Sequence, residues 1–170
     1  MRLRTLLAAL LAGSVLTALD AQEMAWSANG RDIEGTRYLP SATITRENVN
    51  RLEIAWTYHT GETDSRFATS KPAAFEATPL VVDGVMYVGT PLGRVIALDP
   101  LTGQERWVFD PKTPRDVSYD DFASRGVSTW LDESATAPAA CRRSVFVATA
   151  HAQLVAVDAR DGTPCAAFGT

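Results

Sequence analysis

The stretch Met86–Phe109 recurs 59 residues later as Val145–Phe168, and this internal repeat restricts the fold more than any other feature of the chain. Val88/Val147, Thr90/Thr149, Ala97/Ala156, Asp99/Asp158, Gly103/Gly162 and Phe109/Phe168 are identical, while Tyr87/Phe146 and Leu98/Val157 keep their character. The shared core is Ala-x-Asp-x-x-x-Gly. Asp caps a turn through its side-chain oxygen, Gly supplies positive φ, and the aromatic that follows packs on a neighbouring sheet. Short β-branched and aromatic runs surround it, at Glu53–Tyr58, Pro79–Val82, Val85–Gly89, Arg94–Leu98 and Arg106–Phe109, punctuated by Gly, Pro and Asp. Asp83-Gly84 is a two-residue hairpin signal and 99–103 a Pro/Gly turn. Successive antiparallel strands, all-β, are therefore expected.

A unit of this kind cannot bury both faces alone, and four-stranded repeats of about 40–45 residues close into rings of four to eight blades. Only about two units fit in 170 residues, and the chain stops at Phe168-Gly169-Thr170, where the second unit's last strand should end. The expectation is the N-terminal portion of a β-propeller, about two blades of a truncated domain running over 22–170. The alternative is a two-sheet sandwich complete in itself, which would leave long strand edges unprotected. Asp110–Ala140, lying between the units, contains Pro, Asp and Ser and reads as an inserted loop, a usual carrier of function.

Composition removes other classes. With 16 Lys+Arg against 20 Asp+Glu and no basic cluster, a phosphate-tracking nucleic-acid binder is excluded. Residues 1–21 carry Arg2 and Arg4 ahead of Leu6-Leu7-Ala8-Ala9-Leu10-Leu11-Ala12, the pattern of a cleaved secretory signal. The run is broken by Gly13, Ser14 and Thr17 and stops at Asp20, a poor match to a membrane span. Cleavage near Ala21 leaves 14 basic and 19 acidic residues. An acidic, exported, periplasmic protein is expected, with a retained membrane anchor as the alternative.

In an oxidising compartment Cys141 and Cys165 read as one disulfide, worth about 3 kcal/mol on loop entropy. A metal pair is the alternative, but His59 and His151 have no ligand partners nearby in sequence. Trp56 and Trp107 end strand-like runs and read as packing between units. Two charged residues stand out. Glu76 lies in Phe75-Glu76-Ala77-Thr78-Pro79, ahead of a strand, and Arg125 in Ser124-Arg125-Gly126-Val127-Ser128, where a guanidinium can fork onto a carboxylate. Each alone also fits a solvated surface ion pair.

Five ordered motifs resemble the start of a pyrroloquinoline-quinone-dependent dehydrogenase. They are Gly35-Thr36-Arg37-Tyr38-x-Pro40, Leu52–Gly61, Phe75–Val81, Arg94–Asp99 and Ser124–Ser128, and the likeness runs from about Trp26 to the last residue. Cys141-Arg142-Arg143 and Pro164-Cys165 are similar to the glucose and quinate branch of that family. The resemblance implies an eight-bladed propeller whose axial funnel holds the quinone, with a calcium ion and a catalytic aspartate contributed from further along the chain. It implies quinone contacts for Glu76 and Arg125. Methanol-type relatives place a vicinal cysteine pair before this Arg; here Tyr119-Asp120-Asp121-Phe122 stands instead, and Asp121 or Tyr119 is the candidate to cover the cofactor. The implied activity is oxidation of a sugar, polyol or cyclic alcohol, with ubiquinone or a cytochrome as electron acceptor. A non-catalytic propeller scaffold of the bacterial envelope is the rival reading, and this fragment by itself is expected to be inactive.

Overall fold

The computed structural model describes residues 25–41, 43–62, 69, 73–117 and 121–169. The expected signal at 1–21 and two of the candidates around the quinone, Tyr119 and Asp120, lie outside the described residues.

Among the described residues nine strands follow a short 3-10 turn at Val49–Arg51: β1 (Ala73–Thr78), β2 (Leu80–Val82), β3 (Val85–Gly89), β4 (Val95–Leu98), β5 (Glu105–Phe109), β6 (Phe122–Gly126), β7 (Ser128–Leu131), β8 (Arg143–Ala148) and β9 (Leu154–Asp158). They form two meanders. The first unit is the antiparallel sheet β2-β3-β4-β5 and the second is β7-β8-β9, with Pro164 bridging to Val157 where a fourth strand would begin. Ahead of each meander its first strand continues back through a break, at Pro79 between β1 and β2 and at Val127 between β6 and β7. The two leading pieces, β1 and β6, pair with each other in parallel.

The strands at Val85–Gly89, 95–98 and 105–109 match their sequence signals, and the all-β architecture is as expected. Two expectations need correction. Glu53–Tyr58 forms no strand: Ile54 is exposed, and only Trp56 and Tyr58 find seats, on the apolar cluster of Val88, Ile96 and Leu98. Nor is Asp110–Ala140 simply a loop, because it contains β6 and β7. Leu80 pairs with Tyr87 and Ser128 with Phe146, so the leading strands are offset by 48 residues and the later ones by 59. The eleven-residue difference lies in one connection: two residues, Asp83-Gly84, join the paired Val82 and Val85, whereas thirteen, 131–143, join the equivalent pair Trp130 and Ser144.

The core lies between the two units. Leu80, Val82, Tyr87, Val95, Ala97 and Trp107 from the first pack on Val145, Val147, Val157 and Ala159 of the second. Two tryptophans repeat one docking arrangement. Trp56 covers the turn at Gly103 and donates its indole N–H to the Pro100 carbonyl at 3.2 Å; Trp107 covers Gly162 and donates to the Ala159 carbonyl at 3.1 Å. A Cβ on either glycine would sit 2.6 Å from the ring, so only glycine admits the indole. The Tyr87 hydroxyl also donates to the Ala159 carbonyl, and burial pushes its pKa up to about 12.

Candidate functional site

Glu76 and Arg125 come together at the seam between the units. Parallel pairing sets Ala73 against Phe122, Ala74 against Ala123 and Phe75 against Ser124, which carries the next residue of β1, Glu76, to the level of Arg125. Arg125 Nε lies 3.2 Å from Glu76 Oε2. The Arg125 side chain is 89% exposed and that of Glu76 39%. At that exposure the pair adds little to stability, about 0–1 kcal/mol, so folding does not require it. What it offers is a guanidinium, largely open to solvent, flanked by a carboxylate. Glu76 was expected just ahead of a strand and Arg125 in an inserted loop; both lie inside strands, Glu76 in β1 and Arg125 in β6.

Arg125 is held by its neighbours. After Phe75/Ser124 the register slips, so that Thr78 faces Gly126 across a bulge. Gly126 has φ +122° and its N–H donates to Ser124 Oγ at 3.3 Å. Ser124 and Phe122 are buried, so alternation turns residues 122 and 124 into the protein and Arg125 outward. Asp121 is exposed just before β6. It stands four residues from Arg125, about 13 Å along an extended chain, and is not part of the ion pair.

A second ion pair, not anticipated from sequence, ties the segment after Tyr58 to the first unit. Arg94 Nη1 donates to Glu62 Oε1 at 3.0 Å and to the Thr60 carbonyl at 2.9 Å, with both charged side chains about nine-tenths buried. The only sequence signal for it was a charged residue opening an otherwise apolar strand, Arg94-Val95-Ile96. Cys141 and Cys165 are bonded, S–S 2.08 Å with Cα atoms 5.9 Å apart. His59 is exposed, and His151 Nε2 pairs with Gln153 Oε1 at 2.8 Å. Among the described residues no group of three His, Cys, Asp or Glu is placed to hold a metal ion.

Comparison with known proteins identifies the scaffold. Residues 26–170 match the family model for the PQQ glucose/ethanol/alcohol dehydrogenase β-propeller domain. The chain is 36% identical over 160 residues to quinoprotein glucose dehydrogenase A of Acinetobacter calcoaceticus, covering 86% of this chain and 20% of that protein. It is 38% identical over 140 residues to the 1-butanol dehydrogenase (cytochrome c) of Thauera butanivorans, covering 81% and 17%. Among solved structures, quinohemoprotein alcohol dehydrogenase ADHIIG of Pseudomonas putida superposes with a TM-score of 0.66 at 31% identity, over 89% of this chain and 20% of that one. The chain thus spans about a fifth of the length of these relatives. With the repeat, the two docked units and these matches together, the chain belongs to the family of PQQ-type glucose/ethanol/alcohol dehydrogenase β-propeller domains.

Proposed function

We propose that the intact protein carrying this chain is a quinoprotein dehydrogenase that oxidises a sugar, polyol or cyclic alcohol, and that Glu76 and Arg125 are this chain's share of the quinone pocket. The observation that carries the reading is the Glu76–Arg125 pair at the seam of two propeller units. The donor set fits the cofactor. Pyrroloquinoline quinone bears three carboxylates, and a largely exposed guanidinium can fork onto one of them while Glu76 meets the polar ring edge. When bound, the quinone supplies the two-electron acceptor that protein side chains lack. Arg125 fixes the orientation of the ring plane by its carboxylate. Glu76 directs the guanidinium and would offer a carboxylate oxygen to the polar ring edge.

The related glucose and butanol dehydrogenases support the alcohol or sugar substrate class, and the cytochrome c named for the butanol enzyme supports a cytochrome as acceptor, with ubiquinone the alternative. Calcium is assigned to the same pocket, with its ligands and the catalytic base outside these 170 residues. The N-terminal signal pattern supports a periplasmic location, free or membrane-associated.

The test is reconstitution. Intact apoprotein given pyrroloquinoline quinone and calcium should gain alcohol- or sugar-dependent dye reduction, and the quinone should titrate as a tight ligand. No binding and no activity over a panel of sugars, polyols and alcohols would leave a non-catalytic scaffold as the better reading.

A further inference from the structure

We propose that Gly89 is a positioning residue for Arg125: the absence of a side chain at the end of β3 lets β6 lie close enough to set the guanidinium beside Glu76. The inference rests on the reading of Arg125 as a quinone contact. Gly89 ends β3 opposite Val95 in the first unit, far from Arg125 in sequence. A Cβ built on Gly89 would meet the Gly126 Cα and carbonyl carbon at 3.2 Å and Val127 Cγ1 at 3.3 Å. Those are the two residues that follow Arg125.

On the β1 side Gly126 pairs with Thr78 and also leaves no room for a side chain of its own. A Cβ on Gly126 would lie 3.3 Å from the Thr78 carbonyl oxygen of β1 and 3.9 Å from the Ala77 Cβ, and its φ of +122° already disfavours any side chain. So β6 packs against β3 and β1 at Gly126, one residue beyond Arg125, where the regular register that levels Arg125 with Glu76 gives way to the slip. The backbone of Gly89 does not itself require glycine, since no positive φ is found there. What the position requires is the missing methyl. Alanine would make Gly126 and Val127 give by a few tenths of an ångström. The displacement passes directly to Arg125, and contacts of this kind lose affinity steeply with small misplacements.

The experiment is a quinone-binding titration on the intact apoprotein with calcium present, using pyrroloquinoline quinone as the probe and four proteins: wild type, Gly89→Ala, Arg125→Ala and the double variant. Gly89→Ala is expected to weaken binding about 3- to 10-fold in the wild-type background. In the Arg125→Ala background the same change should alter it by less than about twofold, the non-additivity of a residue acting through another. Adding Val127→Ala to Gly89→Ala, which removes one of the colliding groups, should restore part of the loss. Wild-type affinity in Gly89→Ala, or an equal loss in both backgrounds, would overturn the positioning role while leaving Arg125 as a contact. If wild type takes up no quinone, or Arg125→Ala binds as wild type does, the quinone reading falls and this inference with it. Should Gly89→Ala not fold, Val127→Ile crowds the same junction from the β6 side and carries the same two-background comparison.

Discussion

The two units share a sequence pattern and a turn, yet they use the shared aspartate differently. In the first unit Asp99 is an ordinary turn cap: its Oδ1 accepts from the Leu101 and Thr102 N–H groups, Arg106 sits 3.0 Å from Oδ2, and its side chain is 30% exposed. In the second unit the equivalent Asp158 is 2% exposed and serves as a hub. Its Oδ2 accepts from the Cys141 N–H at 2.7 Å and from Arg160 Nη2 at 2.6 Å, and Arg160 Nη1 reaches the Pro138 carbonyl at 2.6 Å. The reason is the hairpin. A two-residue Asp-Gly turn in the first unit closes itself, whereas the long 132–142 connection must be tied down, and Asp158, Arg160 and the disulfide all fasten it to the last turn. Insertion into a repeat thus converts a local cap into a structural anchor without altering the motif.

That contrast can be attacked at several points. The largest effect should come from the inter-unit indole: Trp107→Ala is expected to cost about 3–5 kcal/mol, against about half that for the less enclosed Trp56→Ala, measured by denaturant unfolding. Equal losses would mean that the two dockings are not graded by burial. Opening the Cys141–Cys165 bridge by substituting both cysteines with serine should cost about 3 kcal/mol and lower the melting temperature by about 5–10 °C. Hydrogen exchange should then rise in 132–142 and leave the Asp83-Gly84 hairpin unchanged.

A smaller effect should appear in acid. Arg160 beside Asp158 holds its carboxyl down at about 2, and the Cys141 N–H acts in the same direction. Because the folded value is depressed, the stabilisation is complete above the unfolded value near 3.8 and is lost as pH falls from about 4 to about 2. On the order of 2 kcal/mol is at stake, and Asp158→Asn should remove most of that pH dependence. Asp99, lowered by Arg106 in the same direction but more exposed, should contribute less to the acid slope. A slope unchanged in Asp158→Asn and abolished in Asp99→Asn would reverse the comparison. Smallest of all, Glu76→Gln should shift stability by less than about 0.5 kcal/mol, in keeping with an exposed pair that folding does not require.

The repeat carried most of the fold. Asp99/Gly103 and Asp158/Gly162 mark turns of the same hydrogen bonding, and Asp83-Gly84 marks the hairpin, because these are local backbone requirements written into residue type. What sequence did not convey was non-local. The β6 strand, Phe-Ala-Ser-Arg-Gly, has one large apolar residue and pairs in parallel with a strand some 49 positions away, so nothing periodic distinguishes it from a loop. Conversely Glu53–Tyr58 alternates like a strand but is seated by Trp56 and Tyr58 side chains, with Tyr58 donating to Glu105, rather than by a sheet. For the site, Glu76 and Arg125 stood out as charged residues beside strand signals; their adjacency depended on the β1–β6 register, and the close approach at Gly89 on a third strand had no sequence mark at all.

The most direct test is the quinone titration of intact apoprotein against its Arg125→Ala variant, with calcium present. Loss of a charge-assisted contact to a cofactor carboxylate predicts binding weaker by about 10- to 100-fold with melting behaviour unchanged. Quinone bound equally well by both proteins would contradict the assignment of the Glu76–Arg125 pair to the cofactor pocket.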